Sequence, residues 1–429
     1  MSISLVIGTM IGAGIFFLPS SLAPLGWNAV IGWLISGAGA ICLAMTFRFL
    51  MDGTGEGIQH NIERVLGEVP GFLGIWAYWA AGFTSIAALS LAGGSIIASL
   101  AFDDPDQRVS IFVALGLLWA MVGVNLLGTR SAGRVQVVSV VIKVIPLVLV
   151  IGIFVWGLAG SAELQPMAPM PVDLDNISAA VALTLFALLG FEAATVPVNK
   201  ISNPSQNIPL ALIGGTLLVV LLYLLASTGI VRIIPWEAIA TSSSPFSDVL
   251  TNEFGALAGT AVALCILVSV TGCTNGLILV GAECSYSMAL RGEMPRAFSW
   301  TNSTGVAYHG VLLTGVIATA LILANMSRGL TGMFTFMVLL TSGGVLVFYL
   351  MAALAAVKEN RSHARWPVLA LGVLFIGLAT YGSGLETSLW VGVLLGFGAI
   401  VRWFCRRNFD VGELTGQEHL AESATVGDI

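Results

Sequence analysis

Apolar runs close to twenty residues long recur along the whole chain, each ended by charges or by a Pro/Gly cluster. They fall near 3–18, 27–47, 70–100, 109–128, 136–159, 177–197, 209–232, 257–288, 308–325, 331–357, 366–382 and 386–404. A helix of that length matches the hydrocarbon core of a bilayer. The pattern therefore predicts twelve membrane-spanning helices, numbered here as spans 1 to 12, in an all-α integral membrane protein. The ~10-residue alternating strands of a membrane barrel do not occur. The segment 405–429 reads as a polar tail.

Composition agrees with this pattern and narrows the function. Charged residues make up 9% of the 429, against about 25% in a soluble protein. Hydrophobic residues make up 57%, with a mean hydropathy of +0.95. The net charge is −6, and no basic stripe exists, so nucleic acid is not an expected partner. Cys42, Cys265, Cys273, Cys284 and Cys405 show no CxxC spacing and read as small packing residues. The four histidines (His60, His309, His363, His419) form no metal-ligand cluster and no nucleophile–base pair. An enzyme, a metal and a cofactor are therefore not expected. The start lacks a positive n-region and a cleavage site, so no cleavable signal is predicted.

Lys and Arg fix the expected orientation. With the N-terminus inside, thirteen of the 17 fall on inner loops, inner span ends and the tail. Arg108, Arg232 and Arg328 fall outside, and Lys143 lies within a span. Both termini are therefore predicted to be cytoplasmic, in a bacterial-type inner membrane.

Two spans look interrupted. Span 1 carries Gly12, Ala13 and Gly14 about ten residues in, roughly half the bilayer. Glycine here either permits a close-packed seam between helices or breaks the helix. A break would leave a second half-helix starting near Ala13 or Gly14, whose free amides and positive dipole end suit a carboxylate. Span 6 carries Gly190 beside Glu192 inside an apolar run. A central acid costs about 2.5–3.5 kcal/mol, so it is expected to meet a cavity, water or a partner. A break at Gly190 would turn the carbonyls of Ala187, Leu188 and Leu189 toward the midplane, where an ammonium can bond them. Glu192 would then read a cation, carry a proton, or serve as a structural acid. Paired interruptions of this kind point to a secondary-transporter site.

Lys143 stands about seven residues from the inner end of span 5. It either snorkels to the interface or points at the break in span 1. Burial disfavours an ammonium charge, which makes Lys143 a candidate proton-linked switch. On span 8, Glu283 reads as interfacial, while Thr271, Thr274 and Asn275 line a cavity or bond neighbouring helices.

These residues resemble a known family. The run from Gly12 to Pro19 is similar to the first-helix signature of the amino acid–polyamine–organocation transporters. Gly190, Phe191 and Glu192, followed by 203–209, resemble its sixth-helix and loop signature, and 288–295 its loop after helix eight. The nearest likeness is to the basic amino acid/polyamine antiporters, such as the arginine/agmatine exchangers. The resemblance implies a LeuT-type fold in one domain over 1–404. Residues 1–159 and 177–357 would be inverted repeats, 366–404 two extra helices, and 405–429 the tail. It implies that Gly12, Ala13 and Gly14 bind a substrate carboxylate, that the span 6 backbone near Ala187 and Gly190 binds the amine, and that Phe186 is an aromatic gate. Tyr78, Thr341 and Ser342 match cavity positions. Glu192 matches a pH-linked acid, and Lys143 a lysine that stands in for sodium.

The chain departs from the arginine/agmatine exchangers at four places. Phe186 and Leu277 stand where those have tryptophan, and Ile86 and Thr9 where those have asparagine. A smaller or neutral amino acid fits at least as well as arginine. The expected activity is secondary transport of an amino acid or amine, as an exchanger, in the bilayer and without cofactors. Proton-coupled symport and a transporter-like nutrient receptor are the alternatives. The family likeness also suggests a homodimer.

Overall fold

The computed structural model describes residues 10–12, 14–51, 57–102, 105–128, 132–161, 164–191 and 204–407, without the side chains of 132–141, 161 and 204–212. Among these residues every regular element is helical. That is what a bilayer requires, because a helix satisfies its backbone within one segment. Among the described residues, nine helices are long and apolar enough to cross a membrane. The three shorter apolar ones, Gly14–Leu25, Leu174–Leu188 and Tyr308–Ala324, complete the twelve predicted spans.

The helices follow the predicted runs closely. Span 2 is Trp27–Met51, span 3 Glu68–Ala101, span 4 Gln107–Leu126, span 5 Ala132–Trp156 and span 6 Leu174–Leu188. Span 7 is Pro204–Ile233, span 8 Ala256–Leu290, span 9 Tyr308–Ala324, span 10 Leu330–Glu359, span 11 Trp366–Gly382 and span 12 Gly384–Arg407. Span 1 differs from expectation. Its described helix starts at Gly14 and continues to Leu22, past the predicted end at 18. Pro19 does not stop it: proline forfeits one backbone bond, and the buried residues around it hold the remaining turn.

Small residues set the spacing between spans. A side-chain carbon added to Gly32 of span 2 would come within 2.7 Å of Ala180 on span 6. One added to Gly94 of span 3 would come within 2.5 Å of the Ala114 backbone on span 4. Such contacts let helices touch backbone to backbone, which drives association where lipid offers no hydrophobic contrast. Span 3 is the most buried of the long spans and packs on spans 4, 8, 9, 10 and 12.

The arginine-rich face is tied by charge. Arg291, after span 8, meets Glu63 at 2.7 Å and Glu293 at 3.2 Å. Arg402 of span 12 meets Glu293 at 3.3 Å and Glu68 at 3.1 Å, and Arg406 reaches Glu68 at 2.7 Å. Arg64 bonds Glu359 at 2.8 Å, joining the short helix Ile58–Leu66 to the end of span 10. These contacts put the predicted inner ends of spans 3, 8, 10 and 12 on one face, as the predicted alternation requires. Burial pushes the Glu293 carboxyl up, and Arg291 and Arg402 only partly offset this.

Arg402→Ala should therefore leave a buried, half-compensated acid and cost roughly 3 kcal/mol at neutral pH. Protonating Glu293 removes its charge, so the deficit should shrink as pH falls through its raised pKa. Thermal unfolding in detergent across pH checks this; a deficit independent of pH refutes it.

Candidate functional site

The first interruption lies where the glycines predict it. Met10 is helical, Ile11 bends, Gly12 has no regular structure, and helix resumes at Gly14. The Gly12 amide turns back to the Met10 carbonyl at 2.6 Å. The first amides of Gly14–Leu22 have no helical carbonyl of their own, and their dipole end favours an anion. Ala13 lies outside the described residues.

The second interruption closes span 6. Its helix ends at Leu188, Leu189 and Gly190 turn, and Gly190 has φ of 109°, a conformation that favours glycine. A helix ending here leaves its last carbonyls without helical amides. Ala187 is buried and Gly190 half-buried. Glu192 lies outside the described residues.

Phe186 joins the two breaks. A side-chain carbon on Gly14 would sit 2.5 Å from its ring, so only glycine admits the ring at the start of the half-helix. Phe186 also meets Phe334 of span 10 edge-on at 6.4 Å, and Phe334 meets Phe17 at 5.7 Å. Phe17 and Phe334 form one end of a cavity of about 80 Å³, which Ser95, Thr241, Ser242 and Thr331 also line. Toward the arginine-rich face, Phe191 packs with Phe47 at 5.6 Å and Tyr349 at 5.4 Å. All three are fully buried. Tyr78, half-buried on span 3, packs against Phe348 at 5.4 Å.

Lys143 does not reach for the interface. It is 3% exposed, and Nζ donates to Cys273 Sγ at 3.3 Å. Cys273, on span 8, is also the nearest side chain to a carbon added at Gly12, which would lie 4.0 Å from Sγ. Lys143 therefore stands one side chain away from the break. On span 10 the Thr341 hydroxyl pairs with Thr84 of span 3 at 2.7 Å. Asn275 of span 8 accepts from Asn125 of span 4 at 2.8 Å, so this polar group bonds a neighbouring helix. Glu283 is exposed near the end of span 8.

Two residues at the break escaped sequence reading. Tyr223 of span 7 is fully buried, and its hydroxyl donates to the Met10 carbonyl at 2.8 Å. Cys273 reads as packing from sequence, yet it bridges Lys143 and Gly12. A tyrosine or thiol inside an apolar run carries no pattern that names its partner; only the packing of spans 7 and 8 supplies it.

Gly14→Ala should push Phe186 off the half-helix and weaken substrate binding at least tenfold with the fold intact. Shrinking the ring in Gly14→Ala/Phe186→Leu should recover part of the loss. Binding measured on folded protein checks both; an unaffected single variant refutes the contact.

Comparison with known proteins matches this architecture. A solved structure of MhsT in complex with L-phenylalanine superposes with a TM-score of 0.60 at 16% identity, covering 92% of this chain and 98% of that one. It shows the shared LeuT-type fold. The putrescine transporter PotE of Escherichia coli (strain K12) is 25% identical over 402 residues, 91% of each chain. The serine/threonine exchanger SteT of Bacillus subtilis (strain 168) is 28% identical over 425 residues, covering 93% of this chain and 94% of SteT. A putative arginine/ornithine antiporter of the same strain is 28% identical over 389 residues, 82% of each. The amino acid permease family model matches residues 2–407, and this multi-pass membrane protein belongs to that family.

Proposed function

We propose that the protein is an exchanger that moves an amino acid or related amine across a bacterial inner membrane by alternating access, with both termini cytoplasmic. One observation carries this reading: Phe186, at the end of the span 6 helix, packs on Gly14, where the span 1 helix starts. The amides of Ala13, Gly14 and the start of Gly14–Leu22 receive the carboxylate, beside Gly12, whose own amide stays on the Met10 carbonyl. The carbonyls released near Ala187, Leu189 and Gly190 receive the amine. This arrangement needs no charged side chain, because opposed helix ends already carry complementary partial charges. Phe186 gates the site from one side, and Tyr78 and Thr341 lie on the walls around it. Segments 1–159 and 177–357 act as inverted repeats, with 366–404 as two added helices and a homodimer as the assembly. Relatives named as antiporters and exchangers support exchange.

A specific contact favours proton-coupled symport as the second reading. Lys143 holds its ammonium against Cys273 beside the break, where losing a proton would alter the bonding around Gly12. Glu192, two residues past Gly190, is the other candidate for proton coupling or pH sensing.

Reconstitution in liposomes separates the two readings. Uptake of labelled amino acid only into preloaded vesicles establishes exchange. Uptake into empty vesicles under an inward proton gradient establishes symport. Lys143→Ala should abolish or uncouple transport, and wild-type rates would leave it a packing role. Glu192→Gln should shift the pH profile of transport, and an unchanged profile with intact binding removes its role.

A further inference from the structure

The cavity beside Phe17 lies at the ends of spans 3 and 10 that point away from the arginine-rich face. Span 1 gives it Phe17 and Ser20, span 3 Leu91 and Ser95, and span 10 Thr331 and Phe334. Its remaining wall is the segment 241–243, where the short helix Trp236–Thr241 ends and the chain turns toward the helix Pro245–Phe254. The cavity adjoins the candidate site, because Phe334 meets Phe186 and Phe186 packs on Gly14.

One hydrogen bond joins two of these walls. The Ser20 hydroxyl donates to the Ser242 carbonyl at 2.8 Å. Ser20 lies on the half-helix Gly14–Leu22, about 9 Å along it from Gly14. The other polar groups of Ser242 are engaged as well. Its amide donates to the Ile239 carbonyl at 3.1 Å, and its hydroxyl oxygen receives the Ser244 amide at 3.0 Å. The hydroxyl itself donates to the Asp248 carboxylate. A bond to a carboxylate is stronger than one between neutral groups. Among the described residues the Asp248 side chain bonds Ser242 and meets no Lys or Arg.

An acid in the first turn of a helix is also favoured by the helix dipole, and Asp248 holds that position in Pro245–Phe254. A dipole contact needs no serine. Here the carboxylate takes the hydroxyl of the very residue whose carbonyl holds span 1. We propose that Asp248 is a positioning residue: it fixes the turn at Ser242, the Ser242 carbonyl keeps Ser20, and this tie limits how far the cavity opens beside span 1. Phe16 packs edge-on against Phe246 at 5.2 Å, so the same two elements also share an apolar contact, and losing the tie loosens them without parting them. The inference rests on the exchanger reading only in treating the cavity as an approach to the site.

The test puts a reporter thiol in the cavity by Ser95→Cys. Its reaction with a charged methanethiosulfonate is followed in lipid nanodiscs, where both faces are accessible. The same variants without Ser95→Cys give the background from the five native cysteines. Asp248→Ala, Ser242→Ala and Ser20→Ala should each speed labelling about fivefold, the effect of losing one net hydrogen bond of about 1 kcal/mol. Ser242→Thr keeps the hydroxyl and should label at the parent rate. The double variant Ser242→Ala/Asp248→Ala should label no faster than either single one, because the two residues act in series. A misfolded variant would raise the background too; Asp248→Asn, which keeps the side-chain shape, then replaces Asp248→Ala, with a rise in the same direction. Parent-rate labelling in the folded Asp248 variant overturns the proposal. So does a double variant whose effect is the product of the two singles, which would leave Asp248 acting on its own helix alone. Labelling needs no transport, so a failed exchange assay leaves this result standing.

Discussion

In hydrocarbon, a backbone amide or carbonyl without a partner costs several kcal/mol, and every span of this protein is arranged around that constraint. Long helices satisfy it within themselves. Among the described residues of spans 1 and 6, helical bonding is given up at Ile11 and Gly12 and at Leu189 and Gly190. The structure meets part of the cost locally, through the Gly12 amide and the Tyr223 hydroxyl on the Met10 carbonyl. The proposed function assigns the remaining groups at the helix ends to a zwitterion. They are fixed dipoles with no charge of their own to bury.

The same constraint governs which charges the bilayer interior tolerates. Lys143 enters with a thiol as its described partner, whereas the described acid–arginine contacts stay at the ends of the spans and in the segments between them. Magnitudes favour this division. Stripping an ion of water costs several kcal/mol, while an aromatic face returns about 0.5–2 kcal/mol to a cation. Aromatic walls alone therefore discriminate against cations more than they attract them. Placing Glu293 between Arg291 and Arg402 keeps a buried acid useful: it joins span 12 to the loop after span 8.

Glycine has two distinct jobs here. At Gly32 and Gly94 it removes a side chain so that helices touch. At Gly14 it makes room for Phe186, and at Gly190 it allows a backbone conformation that ends span 6. The first job builds the frame and the second builds the site.

The number, order and alternation of the spans follow from the sequence, because bilayer thickness fixes how long an apolar run must be and charge marks its ends. The breaks at Gly12 and Gly190 are also legible, since mid-span glycine weakens a helix and suits either a break or a close-packed seam. The partner of each polar side chain is not legible. Span 5 alone allows Lys143 to snorkel or to turn inward; the packing of span 8 settles its position by bringing Cys273 to it. Tyr223 and Cys273 look like packing residues until spans 7 and 8 fold against span 1. The helices arise from local bonding and the local solvent, which a sequence records directly. The site arises from contacts between residues as far apart as Met10 and Tyr223, and only the tertiary structure brings those together.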